Sequence, residues 1–263
     1  MKIWYQSAVN FEDHPNYMAA LNRHAKRVQS PGTETVFHGR SLDFGSELLM
    51  PDIINSPIVY HSVVMPQFIS SLLEAERSGC DAFVIGSYSE PLLPELRSLA
   101  KIPIVSISEC TFFTACTVAQ KVGIVTLSKL VVPYIEKSLE HHRLEDRITG
   151  IHLVDEDMAE DALDQQFAAP GPYLDRVRAA ARVAIAAGAQ TVIPAEGLLA
   201  VIASENGLTE VDGAPIIDAV GTSILSAEFA VALKQRTGVA QSRLAFPPPT
   251  EAAAKVVRDG LSR

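Results

Sequence analysis

GCDAFVIGSYSEP (79–91) and GAQTVIPAEGLL (188–199) are two similar stretches that lie far apart in this chain. Each begins with a glycine suited to the position just after a helix, and each continues as a short apolar run typical of a buried strand. When the two are aligned without gaps from their first glycines, Ser87 pairs with Glu196. The repeated unit predicts two similar halves, each with a polar side chain at the tip of one strand.

The remaining chain alternates short apolar runs with longer helical patterns such as 66–79 and 171–188. Apolar strands separated by helices indicate βαβ units and therefore mainly parallel sheets. The predicted strands are 2–7, 33–39, 82–87, 103–108, 121–127, 150–155, 191–196 and 215–220. The expected fold class is α/β, with two pseudo-symmetric lobes, each a mainly parallel sheet flanked by helices, and a cleft between them.

The repeat also predicts the domain organisation. AKIPIVSISE (100–109) matches DGAPIIDAVG (212–221) after a small shift, and the first strand matches the strand at 121–127. The predicted division is an N-terminal lobe of residues 1–115 with about 221–240, a C-terminal lobe of 116–220, and a C-terminal tail of 241–263 with a short helix, which we expect to pack on a neighbouring subunit.

Composition excludes several classes of partner. A formal net charge of −9 argues against nucleic-acid binding, because phosphate contacts require clustered Lys and Arg. No apolar run approaches the roughly 18 residues that cross a membrane, and the first residues become polar too early for a signal peptide. Three cysteines without CxxC spacing are expected to be reduced, which predicts a cytoplasmic protein.

The repeat places Ser87 and Glu196 at one shared site. Ligands of open parallel sheets bind beyond the carboxyl ends of the strands, where loops and helix N-termini expose backbone N–H groups. Two lobes related by a pseudo-twofold axis direct those ends at one cleft. Ser87 and Glu196 are therefore expected to face each other from opposite walls.

Four segments in this order and spacing resemble the aspartate/glutamate racemase superfamily, and most closely its hydantoin and allantoin racemase branch. They are SGCDAFVIGSYSEPLLPELR (78–97), IPIVSISECTFFTACTVAQKVGIVTL (102–127), AGAQTVIPAEGLL (187–199) and APIIDAVGTSILSAE (214–228). The resemblance implies a two-lobed homo-oligomer without metal or organic cofactor. It also implies a small-molecule substrate and, in the racemases, two cysteines that move a proton on opposite faces of a carbon next to a carbonyl.

This sequence departs from that pattern at both catalytic cysteines, whose places fall at Ser87 and Glu196. A thiol is a usable base because its pKa can be brought near neutrality, whereas a serine hydroxyl needs an activating neighbour. On this alignment, two-thiol racemisation is excluded.

Three chemistries remain. First, Glu196 acts as a single general base or acid and Ser87 as a hydrogen-bond donor, in an isomerase or decarboxylase acting on a small carboxylate or cyclic amide. A decarboxylase branch of the superfamily is similar in keeping one thiol. Second, Ser87 is the nucleophile and Glu196 the base of a hydrolase that opens a cyclic amide, imide or lactone, with backbone N–H groups as an oxyanion hole. Third, the site binds a small anion without catalysis. We place one-base chemistry first.

Glu196 and Ser87 also have ordinary structural interpretations. Glu196 precedes a predicted helix and can cap its N-terminus, and Ser87 can be a turn or cap residue. Tyr88 and Ser89 continue the first loop and are predicted substrate contacts or plain turn residues. Gly197 and Leu198 follow Glu196 and are predicted to bring backbone close to the ligand.

Further site candidates come from the family's loop positions. Gln6 and Ser7 end the first strand, where the family carries polar substrate contacts in an Asn-Pro-Asn-like turn that this chain lacks. His61 is predicted to orient Glu196 or to activate Ser87; its alternative is a loop histidine bonded to backbone. His141 and His142 are interpreted as a solvated helix end. No histidine spacing supports a metal site.

Overall fold

The computed structural model describes residues 1–40, 53, 56–154 and 163–261. It contains two parallel sheets and a small antiparallel pair, surrounded by helices. The strands are β1 Lys2–Ser7, β2 Glu34–His38, β3 Ala82–Gly86, β4 Ile104–Ser106, β5 Val122–Thr126, β6 Ile148–Leu153, β7 Thr191–Pro194, β8 Glu210–Val211 and β9 Ala214–Pro215. The predicted α/β class with parallel sheets flanked by helices is confirmed.

Helices connect the strands in the alternating pattern that the sequence predicts. They are α1 Pro15–Val28, α2 Pro57–Val59, α3 Met65–Arg77, α4 Leu93–Leu99, α5 Ile107–Val118, α6 Val132–His142, α7 Leu163–Gln166, α8 Gly171–Ala186, α9 Gly197–Glu205, α10 Ala219–Thr237 and α11 Glu251–Leu261. A π-helical turn, Tyr60–Val64, joins α2 to α3, and a short 3₁₀ turn, Glu145–Arg147, precedes β6.

The two parallel sheets have the same strand order, which reflects the sequence repeat. The first sheet runs β2-β1-β3-β4 and the second β6-β5-β7, so the central strands β1 and β5 are equivalent, as are β3 and β7. Beside β7, Ile216 forms a single parallel bridge with Val192, in the place that β4 occupies beside β3. We call the parts of the chain built on the first and second sheets the first lobe and the second lobe.

Local sequence explains the repeated helix–strand junctions. Gly79 and Gly188 follow α3 and α8 with φ angles of +71° and +100°. This left-handed backbone is easy for glycine and costly for other residues, so each glycine ends its helix and directs the chain into β3 or β7. Both strands are then apolar on both faces, as expected for strands covered by helices on each side.

Two strand predictions need correction. The stretch 215–220 does not form a strand: β9 ends at Pro215, Ile216 makes one bridge, and Asp218 already caps α10 by accepting a hydrogen bond from the Gly221 N–H. The predicted strand 103–108 is shortened, because the Ser106 hydroxyl caps α5 and the chain is helical from Ile107. In both places an N-capping side chain outweighs the β-propensity of the apolar residues around it.

The predicted division into two lobes and a tail stays a prediction. β1–β4 lie within residues 1–115 and β5–β9 within 116–220. Helix α10 returns from the second lobe and packs on α5 and β3 of the first. That return is what the assignment of about 221–240 to the first lobe requires.

The C-terminal tail packs on its own chain, and the expectation that it also packs on a neighbouring subunit stays a prediction. Arg243 donates to the carbonyl oxygens of Arg97, Ser98 and Ala100 at the end of α4. Helix α11 contacts α3 of the same lobe. These contacts hold the tail against the first lobe.

Homo-oligomerisation stays a prediction. Helices α5 and α10 pack against each other and leave Phe113, Leu225 and Phe229 about half exposed or more. Within the described residues, no helix combines the length and the apolar character required to span a lipid bilayer.

Candidate functional site

The tips of β3 and β7 are joined by direct contacts. Tyr88, next to Ser87, is 3% exposed, and its hydroxyl donates to the carbonyl oxygen of Pro194 over 3.4 Å. Pro194 ends β7, two residues before Glu196. The repeat therefore brings the Ser87 loop of the first lobe and the Glu196 loop of the second to a common junction.

Tyr5 of β1 fills the same junction and explains the glycine at position 86. A Cβ atom on Gly86 would lie 2.2 Å from Tyr5 Cε1, and one on Gly197 would lie 3.8 Å from Tyr5 Oη. Tyr5 is fully buried, so its ring has no room to withdraw. The glycine before Ser87 and the glycine after Glu196 thus both border one aromatic ring.

Glu196 is held by the end of β5 rather than by its own helix. It occupies the N-cap position of α9, yet its side chain makes no cap hydrogen bond. The Thr126 hydroxyl donates to Oε1 over 2.5 Å, and the Leu127 N–H donates to Oε2 over 2.9 Å. The alternative that Glu196 is a helix cap is therefore wrong.

Burial controls the protonation of Glu196. Desolvation raises its pKa, the bonds from Thr126 and Leu127 lower it in part, and the result is a pKa of about 7 instead of 4.5. A carboxyl group with this pKa can take up or release a proton at neutral pH. The sequence does not predict Thr126 and Leu127 as partners of Glu196, because no local pattern links the end of β5 to a residue 70 positions away.

Ser87 belongs to a chain of hydroxyl groups. Its Oγ lies 2.9 Å from the Oγ of Ser89, which in turn is hydrogen-bonded to the hydroxyl of Tyr60. Tyr60 is 3% exposed, and burial raises its pKa. Three hydroxyls in series offer hydrogen bonds to an oxygen atom, but none of them is a strong base.

The π-helical turn presents Tyr60, and not His61, to Ser89. His61 is exposed, with its ring 6.0 Å from that of Tyr60, and among the described residues no hydrogen bond joins it to Ser87 or Glu196. π-Helical turns often occur at functional sites. The role predicted for His61 stays a prediction without a supporting contact.

Comparison with known proteins agrees with this architecture. The family model described as "Asp/Glu/Hydantoin racemase" matches residues 16–226. The chain belongs to the Asp/Glu/hydantoin racemase family.

Individual members of the Asp/Glu/hydantoin racemase family are distant from this chain. A hydantoin racemase of Rhizobium meliloti is 25% identical over 91 residues, which cover 35% of this chain and only 38% of that protein. The structure of an allantoin racemase from Klebsiella pneumoniae superposes with a TM-score of 0.75 at 22% identity, covering 95% of both chains. The Gly74Cys mutant of an arylmalonate decarboxylase superposes with a TM-score of 0.56 at 11% identity, covering 88% of this chain and 94% of that one. At these identities the superpositions show the fold alone.

None of the three cysteines occupies the position after β3 or β7 in which Ser87 and Glu196 stand. Cys80 is buried just before β3, and burial raises its pKa. Cys110 and Cys116 lie in α5, and burial raises the pKa of Cys110 to about 12. A thiol with so high a pKa is protonated at neutral pH and is a poor base. Across the parts of the chain that the structure describes, no three His, Cys, Asp or Glu side chains converge closely enough to hold a metal ion.

The predicted contacts of β1 are only partly available to a substrate. Gln6 is 2% exposed; its amide nitrogen donates to the carbonyl oxygens of Ser7 and Gly39, and its oxygen accepts from the Trp4 indole. Both amide hydrogens of Gln6 are thus used within the chain, and its predicted substrate contact stays a prediction. Ser7 accepts from the Val9 N–H and keeps its own hydroxyl hydrogen for another partner.

The predicted contacts that follow Ser87 and Glu196 are also only partly available to a substrate. The Tyr88 side chain is committed to Pro194, so only its backbone can face a ligand, whereas Ser89 presents its hydroxyl beside Ser87. Gly197 begins α9 and Leu198 is 7% exposed. Backbone N–H groups in the first turn of a helix have no partner within it, which suits the predicted approach of Gly197 and Leu198 to an anionic oxygen.

His142 is not part of a solvated helix end, which corrects that interpretation. Its side chain is 7% exposed, and its Nε2 lies 3.0 Å from both carboxylate oxygens of Glu90, three residues after Ser87. Only His141 is exposed. A pattern of charged neighbours around two histidines does not distinguish the outward one from the inward one.

Proposed function

We propose that this protein is a cofactor-independent enzyme that transfers a proton at a carbon next to a carbonyl, with Glu196 as its one base or acid. The observation that carries the proposal is the carboxyl group of Glu196, whose pKa is about 7 and whose two oxygens are held by Thr126 and Leu127. A base or acid is most effective when its pKa lies near the working pH.

The groups around Ser87 support a mechanism with one base rather than two. At Ser87 the neighbouring groups are the hydroxyls of Ser89 and Tyr60, which donate hydrogen bonds but do not abstract a proton from carbon near neutral pH. In this proposal they hold a carbonyl or carboxylate oxygen of the substrate while charge develops on it. Glu196 takes or delivers the proton on one face of the carbon.

The family offers two substrate classes for this chemistry. Named members act, by their descriptions, on hydantoin, allantoin or an arylmalonate. We infer that the substrate is a small carboxylate or a cyclic amide, and that the reaction is an isomerisation or the protonation of a carbanion after decarboxylation. Both need a single proton donor or acceptor next to a carbonyl.

The test is a substrate panel in deuterated water. Hydantoins, malonates, cyclic imides and lactones are incubated with the protein, and the product is analysed for deuterium at carbon and for optical purity. We expect deuterium at one carbon and, from a prochiral malonate, one enantiomer, because the base lies on one face. Ring-opened product without deuterium would contradict proton transfer at carbon and would favour the hydrolase alternative.

Ser87→Ala distinguishes the one-base hypothesis from the hydrolase hypothesis. If Ser87 is a hydrogen-bond donor, its loss should lower kcat by about tenfold, since one hydrogen bond to a developing charge contributes about 1.5 kcal/mol or more. A nucleophilic Ser87 predicts complete loss together with an acyl adduct on the wild-type protein. Mass spectrometry of the protein during turnover detects that adduct. Ser78→Ala, at the exposed end of helix α3 in the first lobe, is the control.

A further inference from the structure

One face of helix α6 in the second lobe is turned toward the first lobe. Tyr134, Ser138 and His142 follow one another at intervals of four residues, so they lie on the same side of the helix. The ring of Tyr134 packs against that of Tyr60, with centroids 5.5 Å apart. Ser138 and His142 extend this face to Glu90.

Glu90 is bound from both lobes. The Ser138 hydroxyl donates to its Oε2 over 2.7 Å, and His142 Nε2 lies 3.0 Å from each of its oxygens. The Ser106 hydroxyl, at the end of β4, donates to its Oε1. A carboxylate oxygen only accepts, so the proton of this contact is on Nε2 of His142. The Glu90 and His142 side chains are each 7% exposed.

Other charges surround His142 on the side away from Glu90. Its Nδ1 lies 4.0 Å from Oε1 of Glu109, and the same oxygen accepts from Arg97 over 3.1 Å. The exposed ring of His141 is 4.9 Å away, centroid to centroid. Negative and positive groups thus alternate from Glu90 through His142 and Glu109 to Arg97, an arrangement in which each charge is stabilised by its neighbours.

Glu90 also ends the turn that begins at Ser87. The Glu90 N–H donates to the Ser87 carbonyl oxygen over 3.2 Å, and Glu90 has a φ angle of +47°, a conformation that non-glycine residues seldom adopt. Such a backbone persists only when surrounding contacts fix it. For Glu90 those contacts are the ones made by its carboxylate.

We propose that Glu90, Ser138 and His142 form a clasp between the lobes that positions the Ser87 and Ser89 hydroxyls for the substrate. They are positioning residues, since they act through the turn. This inference rests on the proposed function for what the hydroxyls do, but the clasp itself is a property of the folded chain. It fastens the turn to the lobe that carries Glu196.

The clasp should depend on pH in a defined direction. Burial raises the pKa of Glu90, but its bonds to His142, Ser106 and Ser138 outweigh this and leave the pKa below 4.5. Burial lowers the pKa of His142, but Glu90 and Glu109 outweigh this and leave it above 6.5. The charged Glu90 contributes fully to the stability of the clasp above pH 4.5, and this contribution is lost as pH falls through its lowered pKa. The charged His142 contributes fully below pH 6.5, and this contribution is lost as pH rises through its raised pKa. The clasp is therefore strongest between pH 4.5 and 6.5 and weakens in alkali.

The experiment uses His142→Ala, His142→Gln and Glu90→Gln, with His141→Ala as the matched control on the exposed neighbour. Amide hydrogen exchange of residues 87–90 is followed by mass spectrometry and corrected for intrinsic rates. At about pH 6 we expect His142→Ala and Glu90→Gln to lower protection by about tenfold or more, since a hydrogen bond to a charged group is lost. His142→Gln keeps one neutral donor, so it should lose less protection and should not show the alkaline decrease.

NMR titration of His142 adds a measurement that does not depend on folding differences in the alanine variant. Its pKa should fall in Glu90→Gln, and it should stay raised in His141→Ala. Where turnover is found, kcat should fall in parallel with protection, and the alkaline decrease of protection should disappear in His142→Gln.

The outcomes separate the clasp from the proposed function. Unchanged protection in both His142→Ala and Glu90→Gln would overturn the clasp, whatever the activity. Reduced protection with undiminished kcat would overturn its positioning role. Reduced protection in a protein that transfers no proton on the whole panel would leave the clasp standing and would count against the proposed function alone.

Discussion

Glu196→Gln should lower turnover by about 10²- to 10⁴-fold on whichever substrate the panel identifies, since a positioned general base contributes that much. Ligand affinity should change little. Glutamine has the same shape and can keep both contacts: its oxygen can accept from the Leu127 N–H, and its NH₂ can donate to the Thr126 hydroxyl. The loss would then report the missing proton acceptor and not a rearranged loop.

Steady-state kinetics and ligand titration by calorimetry measure the two quantities. Glu210→Gln is the matched control, because Glu210 is an exposed carboxylate on β8 of the same lobe. Wild-type kcat should change through about pH 7, the pKa of Glu196, and the residual rate of the variant should not. Full turnover in Glu196→Gln would remove this residue from the mechanism.

The same substitution should stabilise the fold at alkaline pH. The folded protein binds the Glu196 proton with a pKa of about 7, and the unfolded chain with a pKa of about 4.5. Between these values the folded state binds more protons, so this group lowers the free energy of unfolding as pH rises. At about pH 8 the charged, partly buried carboxylate costs on the order of 3 kcal/mol at most, at 1.36 kcal/mol per pKa unit. Glu196→Gln should recover much of this at pH 8 and none at pH 4, by urea unfolding at each pH.

Sequence reasoning was sufficient for the parts of this fold that depend on local pattern. The strand cores Ala82–Gly86 and Thr191–Pro194 are continuous apolar runs that begin after a helix-ending glycine. Both features act within a few residues, and they repeat in the same order in each half. The register of the repeat therefore predicted which residues, Ser87 and Glu196, follow the two strand tips.

The partners of those residues could not be predicted in the same way. Thr126 is one more apolar-flanked residue at the end of a strand, and only the pairing of β5 with β7 brings it to Glu196. Tyr60 reaches Ser89 because one turn is π-helical, which no residue pattern indicates. These contacts depend on how separate elements are placed in space, and that information is absent from local periodicity.

His142 shows a case in which a usable signal was present. Tyr134, Ser138 and His142 share one helical face, and an inward face with polar groups implies a buried polar partner. The direction of that face depends on which side of α6 meets the first lobe. A search of charged residues near the predicted strand tips would have proposed Glu90 as the partner, since it lies three residues after Ser87.

Gly197→Ala should destabilise the protein by about 1–3 kcal/mol, the usual cost of overpacking, and should lower activity with it. An added Cβ would lie 2.5 Å from Tyr17 Oη, which is closer than atoms that are not bonded approach each other. Tyr17 is 2% exposed, and the rings of Phe11 and Phe167 pack on it with centroids 5.7 and 5.9 Å away, so it cannot swing aside. The first turn of α9, which follows Glu196, must then shift.

Tyr17→Phe should rescue Gly197→Ala, because the hydroxyl is the atom in conflict. Without it, the closest remaining atom of the ring, Cζ, lies 3.7 Å from the added Cβ, an ordinary contact distance. Gly171→Ala is the matched control: Gly171 also begins a helix, α8, and a Cβ there meets nothing within 4 Å. Since alanine is the better helix former, the control should be neutral or slightly stabilising. Urea unfolding of the wild type, Gly197→Ala, the double variant and Gly171→Ala decides the question. A Gly197→Ala protein as stable as the wild type, or one that Tyr17→Phe fails to restore, would mean that the loop of Glu196 is not packed against Tyr17 as described.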